Sequence, residues 1–336
     1  MQTVNPQYRC CTIMNNPSST VCLEVPVLAV VGPTASGKTA RAVELARRLG
    51  AEIISGDSRQ VYRGMTLGTG KDLEEYGDVP YHLIDIADAG TKYNLYGFLR
   101  DATAAYEDIC RRGRVPLLCG GTGMYVEAFL KGTALPEVPQ NDSLRQSLRG
   151  KTLEELTGIL SRMKTLHNIT DVDTPKRAIR AIEIQTYYAE HPEESRLVDA
   201  PTPRPALVVG IDVPRDVRRS RITSRLHARL DAGMADEVRA LLASGVSAED
   251  LMYYGLEYKY VTQYVVGDIS EQEMFCSLET AIHQFAKRQM TWFRGMERRG
   301  IPIRWLPYDM PSDEFVDVVA RDYSDICSAG KSDQSF

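Results

Sequence analysis

The chain has no run of 18 uncharged apolar residues, so no transmembrane helix is written into it. It has no C-x-x-C pair, and its five histidines are scattered. Its seven cysteines are odd in number and irregularly spaced, which argues against a zinc site or a disulfide framework and for ordinary reduced thiols. Residues 1–20 lack the apolar stretch of a signal peptide. Residues 1–24 are therefore expected to be a flexible leader on a cytoplasmic protein with no membrane contact. There is no internal repeat and no low-complexity tract. Basic charge is not in excess: 40 Lys and Arg against 45 Asp and Glu give a net charge of -5, which excludes a uniformly basic nucleic-acid coat but not a local basic face. What is present is ordinary globular composition, with 43% hydrophobic and 25% charged residues over 336 positions. That length suits about two domains, or one large domain with an insertion.

Residues 25–31 (VPVLAVV) read as a strand buried on both faces. They lead through 32–39 (GPTASGKT) into a helix over 38–49 that stops at Gly50. Strands are expected at 51–55, 82–86, 115–119, 207–213 and 302–306, with a helix near 94–112. Strand alternating with helix predicts a parallel sheet covered on both faces. The composition changes after Gly132. A Pro-rich connector opens a small helical insertion at 135–173, between a core at 25–134 and its continuation at 174–310. Asp173 or Thr174 caps a helix starting at Pro175. Residues 191–205 read as a loop. Residues 311–336 are expected to be a C-terminal helix with a mobile polar tail.

Gly32-Pro33-Thr34-Ala35-Ser36-Gly37-Lys38-Thr39 fits G-x-x-x-x-G-K-[ST] between a strand and a helix. Glycines let successive N–H groups turn inward onto phosphate oxygens, and the helix N-terminus adds partial positive charge. Lys38 supplies a full charge and Thr39 a hydroxyl for Mg²⁺. A polyphosphate ligand follows, with ATP as the default. However, an ATP-hydrolysing or kinase site carries a second carboxylate at a neighbouring strand end. Here residues 115–119 run into Gly120-Gly121-Thr122-Gly123. The carboxylate nearest a strand end is Asp57, in Gly56-Asp57-Ser58-Arg59-Gln60. Such a group can hold metal through water, take a proton from a nucleophile, or merely cap a turn.

GPTASGKT, SGDSRQVYRGMTLGTGK (55–71), PYHLIDI (80–86), LLCGGTGMYVEAFLKG (117–132), KRAIRAIEI (176–184) and FAKRQMTWFRG (285–295) occur in one order. Together they resemble the tRNA dimethylallyltransferases, or isopentenyl-tRNA transferases. The resemblance implies an α/β fold: a P-loop NTPase-like parallel sheet flanked by helices, with a small helical insertion. It implies transfer of the isoprenoid of dimethylallyl diphosphate to N6 of the adenosine just 3′ of the anticodon in tRNA, with Mg²⁺ as cofactor and a monomer as the working form. Gly32, Thr34, Ala35, Ser36, Gly37, Lys38 and Thr39 would then hold a diphosphate leaving group, and Thr39 the metal. Asp57, Lys38 and Thr34 would be catalytic, Asp57 as acceptor of the amine proton. Asp57, Ser58, Arg59, Gln60 and Thr122 would meet the target region of the tRNA. Lys176, Arg177 and Arg180 would approach its anticodon stem-loop, and Lys287, Arg288 and Arg294 its backbone. Lys71 matches a motif lysine.

Residues 270–299 read as a helix opened by a Ser270/Glu273 capping box. Leu278, Ile282, Phe285, Gln289, Trp292 and Met296 fall within about 80° on one side, with Lys287, Arg294 and Arg298 opposite. Trp292 and Phe293 are expected to pack. Arg218, Arg221, Arg225 and Arg229 make a second cationic row, expected to add to an RNA surface. One stretch departs from the family: LMYYGLEYK (251–259) has Met252 where many members carry Arg, leaving Tyr253, Tyr254 or Lys259 to replace its contact with RNA. Two other readings share the cradle, a prenyltransferase acting on free AMP and a P-loop kinase or nucleotide-binding module.

Overall fold

Uninterrupted apolar runs become interior strands because both sheet faces are covered. β1 (Val27–Val31), β2 (Ala51–Ser55) and β4 (Val115–Gly120) are buried along their whole length. The structure, a computed structural model, describes residues 25–166, 170–193 and 202–332. The expected leader, the middle of the 191–205 loop and the end of the tail lie outside the described residues. With β3 (Tyr81–His82), β5 (Ala206–Asp212) and β6 (Arg304–Pro307), the strands form one sheet in the order β3-β2-β4-β1-β5-β6. Every pairing is parallel. Val31 stands in register with Gly120 and Gly210, and Ser55 with Cys119. The loops leaving β1, β2 and β4 therefore emerge side by side at one edge, the usual ligand edge of an open parallel sheet.

The helices α1 (Lys38–Leu49), α2 (Leu95–Arg111) and α3 (Gly123–Leu130) follow these strands. After β5 come α7 (Arg215–Asp231), α8 (Met234–Ala243), α9 (Ala248–Tyr253), α10 (Leu256–Val265) and α11 (Glu271–Arg298), then β6 and α12 (Ser312–Ser332). Leu28, Leu45, Leu117 and Phe315 belong to one apolar core, on the α1 side of the sheet. A second core gathers Tyr62, Leu226, Tyr258 and Leu278 from the segment after β2 and from α7, α10 and α11.

The strand expected at 82–86 is cut to Tyr81–His82. Leu83 and Asp85 take left-handed φ values of 65° and 55°, which bend the chain. Asp85 is drawn to the ammonium of Lys71, which is fully buried and also donates to the Tyr62 carbonyl. The amides of Asp85 and Ile86 donate to Gln60 O and Val61 O at 3.1 and 2.8 Å. Lys71 is thus a structural pin under the 60–62 loop.

The chain divides into two compact units, 1–131 with 203–336, and 132–202. The second extends past the expected 135–173 and takes in the helix that starts at Pro175, which the sequence pattern places in the core. It comprises α4 (Asp142–Leu148), α5 (Leu153–Met163) and α6 (Pro175–Glu190), the last capped by Thr174. Leu156 and Leu160 of α5 share an apolar cluster with Ala178 and Ile182 of α6, so the two helices cannot belong to different cores.

Candidate active site

The three sheet-edge loops meet in a cleft of about 560 Å³ in the first unit. Its floor is the turn from Gly32 to Lys38. Ala35 and Gly37 hold left-handed φ of 60° and 83°, the alternation that points amides into a nest. No side chain caps α1, so its first-turn N–H groups remain for an anion. The Ser36 hydroxyl is buried and has no partner among the described residues. Burial draws the Lys38 ammonium below its ordinary pKa, with Cys119 and Asp57 opposing the shift. An incoming anion would relieve that cost. The neighbouring Cys119 thiol is pushed up to about 12 by burial and stays neutral.

Asp57 stands at the end of β2 on the wall of this cleft. Its Oδ1 accepts the Arg59 N–H at 3.0 Å, an Asx turn that orients the carboxylate and leaves Oδ2 for another donor. The Ser58 N–H donates to Thr122 Oγ1 at 3.1 Å, which joins this loop to the one after β4. A Cβ on Gly120 would lie 2.4 Å from the Gly56 carbonyl, so only glycine lets the two loops approach this closely. Gln60 is buried: it accepts from Ser55 Oγ at 2.8 Å and donates to Gly70 O at 3.1 Å. It ties the loop together from beneath.

Thr34, Ala35, Ser36, Gly37, Lys38, Thr39, Asp57, Ser58, Arg59, Gln60, Thr122 and Arg288 all line the cleft. Gly32 lies beneath it, with no room for a side chain: a Cβ there would be 2.7 Å from Ser36 Oγ. Lys287 lies along an adjoining shallow depression with Arg298. Among the described residues, none of Lys287, Arg288, Arg294 and Arg298 is ion-paired. In the second unit Lys176 is exposed and Arg177 pairs with Asp173. Arg180 is bound to the buried Glu183 and donates to Val138 O at 2.9 Å, so its guanidinium serves that unit's interior.

Two features of the helices were missed. Gln289 fell within the apolar stripe of α11, yet its Oε1 accepts the Thr34 N–H at 2.8 Å and its Nε2 donates to Gly121 O at 2.8 Å. It clips the phosphate loop to the turn after β4. The buried side of α11 is also rotated by about 30° from the expected stripe. Ala286 and Phe293 are buried, whereas Phe285 and Trp292 are about 40% exposed on the cleft wall. Trp292 therefore does not pack as expected, while Phe293 does. On α7, Arg225 and Arg229 turn into the cleft. Of the residues around Met252, Tyr254 is buried with its hydroxyl donating to Thr91 O at 2.9 Å, and Tyr253 is exposed with the Arg59 guanidinium 5.5 Å from its ring. Lys259 is exposed.

A family profile described as IPP transferase matches residues 60–296, and one described as isopentenyl transferase matches residues 25–76. The chain belongs to the IPP transferase family. It is 59% identical over 299 residues to tRNA dimethylallyltransferase 2 of Bacteroides fragilis, covering 88% of this chain and 97% of that one. It is 57% identical over 302 residues to tRNA dimethylallyltransferase 1 of Porphyromonas gingivalis, covering 89% and 99%. A crystal structure of a tRNA isopentenylpyrophosphate transferase from Bacillus halodurans superimposes with a TM-score of 0.68 at 30% identity, covering 93% of this chain and 100% of that chain.

Proposed function

We propose that this chain transfers the dimethylallyl group of dimethylallyl diphosphate to N6 of the adenosine 3′ of the anticodon in tRNA. The observation that carries the reading is the placement of Asp57. Its carboxylate shares one cleft with an anion nest, and the turn that orients it uses only one oxygen. In the reaction the exocyclic nitrogen attacks the allylic C1. The C–N bond forms, the C–O bond breaks and its electron pair leaves with the diphosphate. The amine proton passes to Asp57 Oδ2. Lys38, the α1 amides and the Ser36 hydroxyl stabilise the charge that gathers on the departing oxygens. Phe285 and Trp292 offer apolar surface in the same cleft for the isoprenoid or an unstacked base. The exposed cations of α11 hold RNA phosphates.

The Thr39 hydroxyl, together with oxygens of a bound diphosphate, would hold a Mg²⁺. Among the described residues no cluster of three His, Cys, Asp or Glu could hold a metal without the substrate. When bound, the ion would neutralise charge on the leaving group. Among the described residues no helix is long and apolar enough to cross a membrane. Action on tRNA would place the chain in the cytoplasm. A kinase reading finds no support in the relatives, and one confined to free AMP gives the unpaired cations of α11 no use.

The test is incubation of the full chain with radiolabelled dimethylallyl diphosphate, Mg²⁺, unmodified tRNA and AMP. Label is expected in tRNA and to be lost on chelation with EDTA. Label in AMP alone, or transfer of the terminal phosphoryl of ATP with the allylic compound ignored, would overturn the proposal.

A further inference from the structure

Tyr253 is the last residue of α9 and is 45% exposed. Two cations flank its ring. The Arg59 guanidinium lies 5.5 Å from the ring centroid and the Lys92 ammonium 5.7 Å. Among the described residues neither cation is ion-paired. The ring is held from behind. Tyr254 packs edge-on against it, with centroids 5.8 Å apart, and is itself buried. The Tyr254 hydroxyl donates to Thr91 O at 2.9 Å and accepts the Gly90 N–H at 2.6 Å, and its ring lies 4.4 Å from that of Tyr62. The loop that carries Lys92 is thus tied to the helix end that carries Tyr253. This mount is in place before any ligand arrives, which lowers the cost of binding one.

Arg59 connects the ring to the cleft. It lines the cleft, whereas Tyr253 stands outside the lining. The Arg59 side chain runs across Gly255, where a Cβ would lie 3.8 Å from Nε. Its backbone N–H donates to Asp57 Oδ1, and two residues of chain keep the Cα atoms of Asp57 and Arg59 within about 7 Å. An RNA strand with one base at Asp57 therefore brings an adjacent base within reach of Arg59 and Tyr253. The chemistry fits a nucleobase. An aromatic ring stacks on any base, since every base has a π-face, and cations beside it meet the flanking phosphates. An apolar partner would leave both cations unpaired, and an acidic one would leave the ring unused. Of the three residues that could stand in for the arginine missing at Met252, Tyr254 is engaged by the Gly90–Thr91 loop, and Lys259 sits over Tyr260, 5.1 Å from its ring. Tyr253 is left.

We propose that Tyr253 is the stacking residue for the nucleotide next to the target adenosine, with Arg59 and Lys92 on its flanking phosphates. The inference rests on the RNA-prenylation reading of the cleft. Tyr253 is then a positioning residue: its ring holds the neighbour so that the displaced target base stays at Asp57, and it takes no part in the bond exchange.

The test is binding and single-turnover prenylation of an unmodified anticodon stem-loop by the full chain, beside stem-loops that lack the base 5′ or 3′ of the target. Tyr253→Ala is expected to weaken the intact stem-loop by about 5- to 100-fold, the range for losing one base–aromatic stack. Tyr253→Phe keeps the ring and should bind as wild type does. Affinity for dimethylallyl diphosphate should not change in either variant, and urea melts establish that both are folded. The deciding measurement is the double cycle: on one of the two base-deleted RNAs, Tyr253→Ala should cost nothing further. A loss that persists on both base-deleted RNAs, or that Tyr253→Phe shares, would overturn stacking and leave the ring as a support for Arg59. Unchanged affinity in Tyr253→Ala would overturn the assignment while leaving prenyl transfer standing. Wild-type protein that ignores the intact stem-loop and prenylates AMP would overturn the RNA reading itself.

Discussion

Helices α7 and α11 both carry cations in rows at helical spacing, but the rows face different ways. Lys287, Arg294 and Arg298 lie about 150° from the buried side of α11 and stay exposed. On α7, Arg229 lies within about 20° of the direction of the buried Ile222, and Arg225 within about 60°. Its row therefore turns inward with the apolar side chains, and the charges end in the cleft. A row of arginines is an RNA-facing stripe only when it opposes the apolar row. When the two rows coincide, the cations are being carried into the protein, where they need an anion.

That contrast can be sharpened, starting from the group that belongs to neither helix. Asp57→Ala should lower turnover by about 10²–10⁴ while tRNA and diphosphate affinities stay within a few-fold of wild type. Single-turnover assays with separate binding titrations check this. Full activity would remove Asp57 from the chemistry. Next in size is the inner side of α11. Gln289→Leu strands the Thr34 N–H and the Gly121 carbonyl, and should cost about 2 kcal/mol in urea denaturation and weaken diphosphate. The salt dependence of tRNA binding should not move. If it does, the inner and outer sides of α11 are not separable. For the outer side, Lys287→Ala with Arg294→Ala should flatten the slope of log affinity against log salt by about two units. An unchanged slope would mean that these cations are merely solvated.

The smallest effect lies far from both helices. Burial alone would raise the Glu52 carboxyl, but Arg112 and His82 outweigh it and hold the group below its ordinary value. Its contribution is then complete above the ordinary glutamate range and is lost as pH falls through the lowered folded value. Glu52→Gln should cost on the order of 1 kcal/mol at neutral pH, and the gap to wild type should close on acidification. A gap independent of pH in thermal melts would assign the cost to packing.

Much of this was legible before any coordinates. Continuous apolar runs mark interior strands because nothing else in a chain of this composition needs them. The phosphate loop is legible because its glycines, lysine and flanking elements are all required at once. The failures have local causes. Residues 82–86 look like a strand, but the buried Lys71, fourteen positions before Asp85, bends the chain through an ion pair with Asp85 that no local pattern encodes. Gln289 passed for a member of an apolar row because a buried amide shares that row's spacing. Its partners lie 255 and 168 positions away. For α7 the signal lies in the angle between its charged and apolar rows. In the second unit, Arg180 differs from Lys176 only in its nearness to Glu183, which again is visible only after folding.

The clip made by Gln289 has a mechanical consequence. The helix whose outer side bears unpaired cations is joined by one hydrogen bond to the loop that forms the anion nest and by another to the turn after β4, with no strand between them. A tug on that helix reaches the nest directly. Thermodynamic reciprocity then demands that whatever degree of help one substrate gives the other across this joint be returned in equal measure.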